Sequence, residues 1–231
     1  MTGLRALLVI ILIGAGYGVA SGSGQPDHSA SALSVSSADT ITPLVELYTS
    51  EGCSSCPPAD RFLSRLGDLL ADDIELGAVP LAFHVDYWNW LGWADPFSQE
   101  QFTERQKIVA SNNAQRSIYT PELVVAGKEA RGGGQIYDWI ATKNGEKASV
   151  DIILNVVATT PYLLEADVMF KNMASGVRPE VFYAVYENSI VRKIGGGENG
   201  GKTLSHDFVV RHWSQPYPVV PGNSNHRVSL D

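Results

Sequence analysis

Cys53-Ser54-Ser55-Cys56 uses both cysteines of the chain and spaces them three residues apart. An apolar, strand-like run, Leu44-Val45-Glu46-Leu47-Tyr48, precedes the pair. Pro57-Pro58 follows, and then Phe62, Leu63, Leu66, Leu69 and Leu70 fall at helical spacing. The order strand, Cys-x-x-Cys, amphipathic helix sets the cysteines at a helix N-terminus. Unpaired amide N–H groups and about half a positive charge there stabilise a thiolate. The thiolate is the form that attacks disulfides, and Cys-x-x-Cys motifs commonly depress its pKa. The predicted chemistry is dithiol–disulfide exchange.

Two plainer readings stand beside it. A structural disulfide closing so short a loop would stabilise the fold by about 2 kcal/mol, against about 3 kcal/mol for a loop of fifteen residues. A structural zinc site needs about four Cys or His ligands, and the chain has no second cysteine pair. Copper handling through Cys53, Cys56 and a histidine is a further alternative, since thiolates select Cu(I). The chain holds only 3 methionines, which weakens it.

The elements around the motif read as an α/β layer. Val79–Tyr87 is β-type, and Asp95-Pro96 reads as a helix start, with proline at the first helical position. Phe97, Phe102, Ile108 and Val109 give that helix an apolar face ending near Asn112-Asn113. Thr120-Pro121 opens a strand, Glu122–Ala126, and Ile136, Trp139 and Ile140 mark a last helix closed by Asn144-Gly145. From about Ser149 short β-branched or aromatic runs, separated by Pro, Gly and Asn, predict a smaller antiparallel β-rich part. Gly195-Gly196-Gly197 and Gly200-Gly201 flank Glu198-Asn199 and read as a very flexible loop. Thr203–Trp213 reads as one more strand or a short helix. His84 and Asp86 share one face of their strand and, with Trp88, Trp90 and Trp93, are candidates to line a groove. His206 and Asp207 are candidates to approach Glu198 and Asn199 across the glycine loop.

The chain has 231 residues, 44% hydrophobic and 18% charged, which describes a globular protein. Its formal net charge of −8 argues against nucleic acid or an anionic membrane surface as partner. Arg5, the apolar run Ala6–Ile13 and the small residues Gly18 and Ala20 predict a signal peptide over 1–20, cleaved before Ser21. The run is short for a membrane span, which needs about 20 apolar residues, so membrane attachment would come only through this segment left uncleaved. Residues 21–40, rich in Ser, Gly and Ala, read as a flexible linker. The expected location is exported, periplasmic or secreted, where a thiol pair rests as the disulfide unless a redox partner protein reduces it.

Several motifs together resemble a known family. Glu51–Asp60, Phe83-His84-Val85-Asp86-Tyr87-Trp88, Leu91-Gly92-Trp93, Asp95-Pro96 and Tyr119-Thr120-Pro121 are similar to an exported bacterial family catalogued as domain of unknown function 1223. Gly197-Glu198-Asn199, Gly201, Leu204–Asp207 and Val209-Val210-Arg211 extend the resemblance over most of the chain. It implies a thioredoxin-like domain, expected over 41–146, and a β-rich C-terminal domain, expected over 147–214, while the Pro-, Asn- and Ser-rich residues 215–231 read as a loose tail. Cys53, nearer the helix mouth, is the expected nucleophile and the more exposed thiol, and Cys56, one helical turn on, the resolving one. Glu46 is implied as a buried carboxylate behind the pair that relays a proton. Pro121 is implied to have a cis peptide bond and, with Thr120 and Trp88, to face the substrate. The expected substrates are protein or small-molecule disulfides and thiols, with no metal and no cofactor beyond the dithiol. The alternative from another class is a non-catalytic ligand- or protein-binding module on the same scaffold.

Overall fold

The structure, a computed structural model, describes residues 7–13, 32–72, 76–160, 163–176 and 178–219. In chain order these form β1 (Leu7–Ile13), β2 (Ala32–Ser36), β3 (Leu44–Thr49), α1 (Pro57–Asp72), β4 (Val79–His84) and α2 (Glu100–Asn112). There follow β5 (Glu122–Val125), β6 (Lys128–Ala130), α3 (Gly133–Asn144), β7 (Asp151–Thr160), β8 (Leu163–Lys171) and β9 (Glu180–Glu187). The last are β10 (Ile190–Lys193), a 3-10 turn at Gly197–Asn199, β11 (Thr203–His206), β12 (Val209–Trp213) and β13 (Tyr217–Pro218). The class is mixed α/β, as the sequence predicts.

The chain divides into two compact units, one of residues 40–146 with 185–211, the other of 1–39, 147–184 and 212–231. The second cut differs from the sequence reading: residues 185–211, expected in the β-rich domain, cluster with 40–146. In that first unit β3 is flanked by β4, parallel to it, and by β5, antiparallel, while β6 extends the sheet beyond β5. Val209 of β12 pairs in parallel with Ala82 on the far side of β4.

Strand side chains alternate between faces, and β3 sorts them sharply. Val45 and Leu47 join Ala82, Val125, Leu63, Leu66, Ile136 and Ile140 in one buried cluster under α1 and α3. Glu46 and Tyr48 point the other way, toward α2, where Tyr48 stacks on Phe83 and Phe83 meets Phe102 edge-on. The helical spacing in α1 is borne out at Leu63 and Leu66, while Leu69 is half exposed.

Two local readings are corrected. Asp95-Pro96 does not start α2, which begins at Glu100 after Gln99. The Asp95 side chain is instead drawn inward by a charged partner. Thr203–Trp213 is neither one strand nor a helix but two strands, β11 and β12.

The other unit holds an antiparallel sheet in the order β2-β7-β8, with β13 pairing separately on β9. Ala32–Ser36, inside the stretch read as linker, is therefore a paired strand. Tyr217–Pro218, inside the expected loose tail, is also paired. The expected leader lies mostly outside the described residues, as does the tail beyond Val219. Among the described residues no helix is long and apolar enough to cross a membrane.

Packing between α1 and the β11–β12 turn is close enough to give a test. A Cβ on Gly67 would overlap the Phe208 ring. Gly67→Ala gains about 1 kcal/mol of helix propensity but overpacks at about 1–3 kcal/mol. The expected result is a net loss, read as a lower urea midpoint at unchanged slope. A raised midpoint would mean that the ring swings aside freely.

Candidate functional site

The chain leaves β3 at Thr49 and reaches α1 through the segment Ser50–Cys56. Cys53 and Cys56 form a disulfide with Cα atoms 5.4 Å apart, within the usual range for such a bond. The Cys53 carbonyl accepts the Cys56 amide, and the Cys56 carbonyl accepts those of Ala59 and Asp60, so the bridge merges into the first turn of α1. Pro57 and Pro58 fit there because amides in the first turn lack helical partners. Thr120–Pro121 is cis. Tyr48 pairs with Glu122, which sets Pro121 beside Thr49, at the sheet end from which the cysteine segment departs. Trp88 ties the two together: it donates its indole N–H to Thr120 Oγ1 at 2.7 Å, and its Cβ lies 3.2 Å from where a side chain on Gly52 would begin.

Exposure corrects the first expectation. Cys53 and Cys56 are both 0% exposed, so Cys53 is not the accessible member. Ser54 and Ser55 between them are exposed, and Ser55 Oγ lies 3.3 Å from Cys53 Sγ.

Glu46 is corrected too. It is buried, but on the α2 face of β3. Arg105 binds it with two hydrogen bonds, Nε to Oε2 at 2.7 Å and Nη2 to Oε1 at 2.9 Å, and the Tyr48 hydroxyl donates to the same carboxylate. Cys56 leads directly into α1, which packs on the opposite face. A carboxylate of the wrong parity in β3 does not serve the cysteines.

The buried charges that do gather at the cysteine segment are Glu51, Asp60, Asp95, His84 and His206, all under 8% exposed. Glu51 is the hub. Its Oε2 accepts the Trp93 indole N–H at 2.8 Å, its amide donates to Asp95 Oδ2, and its Oε1 lies 3.3 Å from His206 Nε2 and 3.6 Å from Arg192 Nε. Asp60, one turn beyond Cys56 in α1, accepts from Thr49 Oγ1 at 2.7 Å and lies 4.0 Å from His206 Nδ1. Burial pushes the Asp60 carboxyl above its ordinary pKa, with His84 and His206 pulling back.

His84 Nδ1 donates to Asp95 Oδ2 at 2.7 Å, with neither side chain exposed. Burial alone would pull the His84 pKa down, but the Asp95 charge prevails and it is raised. Burial likewise pushes Asp95 up, and His84 with the Glu51 and Phe97 amides overcomes it, so Asp95 is lowered. His84 and Asp86 thus do not line a groove together: Asp86 accepts from Thr103 of α2.

The glycine loop is a packed strap, not the flexible loop expected. A Cβ on Gly196 would collide with the Gly92 carbonyl, and one on Gly197, which has φ +64°, would sit 3.0 Å from Trp93 Cβ. Asn199, fully buried, donates Nδ2 to the carbonyls of Glu51 and Cys53, both at 2.9 Å. Lys202 Nζ donates to its Oδ1, which fixes the amide orientation. Glu198 Oε2 accepts the Ser54 amide at 2.9 Å. His206 and Asp207 do not approach these two residues as expected: His206 turns to Glu51 and Asp60, and Asp207 accepts the Ser189 amide. Among the described residues no group of three or more His, Cys, Asp or Glu side chains is arranged to hold a metal ion.

Residues 44–230 match the family described as protein of unknown function (DUF1223), and the chain belongs to it. It is similar to the crystal structure of a protein from Agrobacterium tumefaciens, solved in a structural genomics programme. That likeness has 26% identity and a TM-score of 0.59, over 84% of this chain and 80% of the other. No curated protein matches the chain.

The His84–Asp95 pair gives a pH test with a definite sign. Asp95, lowered in the fold, contributes stability that is present above about pH 3.9 and lost as pH falls through its folded pKa. His84, raised in the fold, contributes stability that is full below about pH 6.5 and lost as pH rises through its folded pKa. Asp95→Asn leaves a buried partner unmatched and is expected to cost about 3–5 kcal/mol at pH 6. The gap to wild type, followed by urea unfolding, should narrow at both lower and higher pH. A gap constant from pH 3 to 9 would show that the pair is not ionised.

Proposed function

We propose that the chain is an exported thiol–disulfide exchange protein of thioredoxin-like arrangement, resting with Cys53 and Cys56 oxidised. One observation carries this reading: the disulfide joins the mouth of α1 at the same sheet end as Pro121. The expected leader supports the oxidising location in which such a bond persists.

In the reductive direction a partner thiolate attacks Cys53 Sγ. A new S–S bond forms, the Cys53–Cys56 bond breaks, and its electron pair leaves on Cys56 Sγ, which takes up a proton. A second partner thiolate then attacks the partner sulfur, expels Cys53 as thiolate, and leaves the partner oxidised and this protein reduced. The reverse sequence reduces a substrate disulfide. Both use the two sulfurs alone, and the direction follows from the reduction potential. Asp60, not Glu46, is the buried carboxyl in the helix that Cys56 leads into and the candidate to exchange that proton: its amide donates to the Cys56 carbonyl, and residues so joined, four apart, lie on one face.

The burial of both cysteines favours a second reading, in which the disulfide is an inert brace and the scaffold binds a ligand without exchange. Equilibration with glutathione buffers separates the two. On the exchange reading the native protein reaches a redox equilibrium, Cys56→Ser accumulates a mixed disulfide on Cys53 detectable by mass, and Cys53→Ser does not. If the bond opens only after the fold is denatured, and neither variant captures glutathione, the brace reading stands instead.

A further inference from the structure

The Gly195–Gly201 strap ends in two neighbouring side chains that both grip the cysteine segment from outside. Asn199 holds the carbonyls before and at Cys53, and Glu198 holds the amide just after it. Together they bind three backbone groups, the carbonyls of Glu51 and Cys53 and the amide of Ser54, in the segment an incoming thiol must reach. Neither cysteine of that segment retains exposed surface.

The two grips differ in strength. Asn199 is buried, doubly donating and locked by Lys202. Glu198 is exposed, so water competes for its bond. The Ser54 hydrogen bond holds its carboxyl below the usual range, which keeps it anionic at neutral pH. Nearby Glu51 is buried beside His206 and Arg192, and the Lys202 ammonium donates to Asn199. Glu198 is therefore an accessible carboxylate held on the residue that follows Cys53, with the Lys202 ammonium close enough to act on it. A partner cation pairing with it would draw it from the Ser54 amide and free one edge of the strap, whereas an anion would meet repulsion.

We propose that the strap gates the disulfide and that Glu198 is its specificity-determining residue, selecting thiols that carry positive charge, such as a cysteine flanked by Lys or Arg. This rests on the exchange reading above.

The test compares second-order reduction rates at equal thiolate concentration for cysteamine, 2-mercaptoethanol and 2-mercaptoethanesulfonate, at low and high salt. One unit-charge contact near 4 Å in water is worth about fivefold in rate. Wild type is expected to react fastest with the cation and slowest with the anion, the order compressing at high salt. Glu198→Gln should bring the three rates within about twofold. Asn199→Ser should speed all three, and Glu198→Gln, a surface change, keeps the proposal testable if that variant unfolds. Equal rates for the three thiols on wild type, or an unchanged order in Glu198→Gln, would overturn the gate while leaving exchange intact. If no thiol reduces the folded wild type or either variant, exchange and gate fall together.

Discussion

A carboxylate with no exposed surface must find compensation inside the protein, because an unpaired buried charge costs several kcal/mol. Glu51, two residues before Cys53, is a carboxyl group with no exposed surface, and distant segments converge on it. It brings in the Trp93 indole, His206 of β11 and Arg192 of β10, while its backbone engages Asp95 and Asn199. The loop after β4, the β10–β11 hairpin and the cysteine segment thus meet at one residue. The disulfide is not a free-standing motif but the outer edge of a charged, desolvated cluster.

The cysteine pair, the strand before it, the helix after it and the strand opened by Thr120-Pro121 were readable because each is written in neighbouring residues: apolar period, proline position, glycine turn. Glu51, Asn199 and His206 were not readable as a unit. A lone Glu reads as surface, and its partners stand well over a hundred residues downstream. The glycine-rich strap shows the same limit. Glycines there signal flexibility locally, yet Gly196 and Gly197 are small because Gly92 and Trp93 press on them. Asp95-Pro96 matched a helix start for a local reason and was overridden by His84, a tertiary partner with more to offer.

Glu46 illustrates how finely a strand assigns chemistry. A shift of one residue in β3 moves a side chain from the α1 side to the α2 side. On the α2 side the carboxylate acquires Arg105 and Tyr48 and becomes part of a brace between sheet and helix. Nothing in the composition of Leu44–Tyr48 distinguishes the two outcomes; parity relative to the core does.

The contact between Asn199 and Cys53 spans 146 positions of sequence, and that span imposes an order of events during biosynthesis. A nascent polypeptide emerging from its amino end contains both cysteines long before Glu198 and Asn199, the residues that hold their segment, exist. The backbone of the cysteine segment can acquire its three bonds to these residues only once the downstream portion has been made.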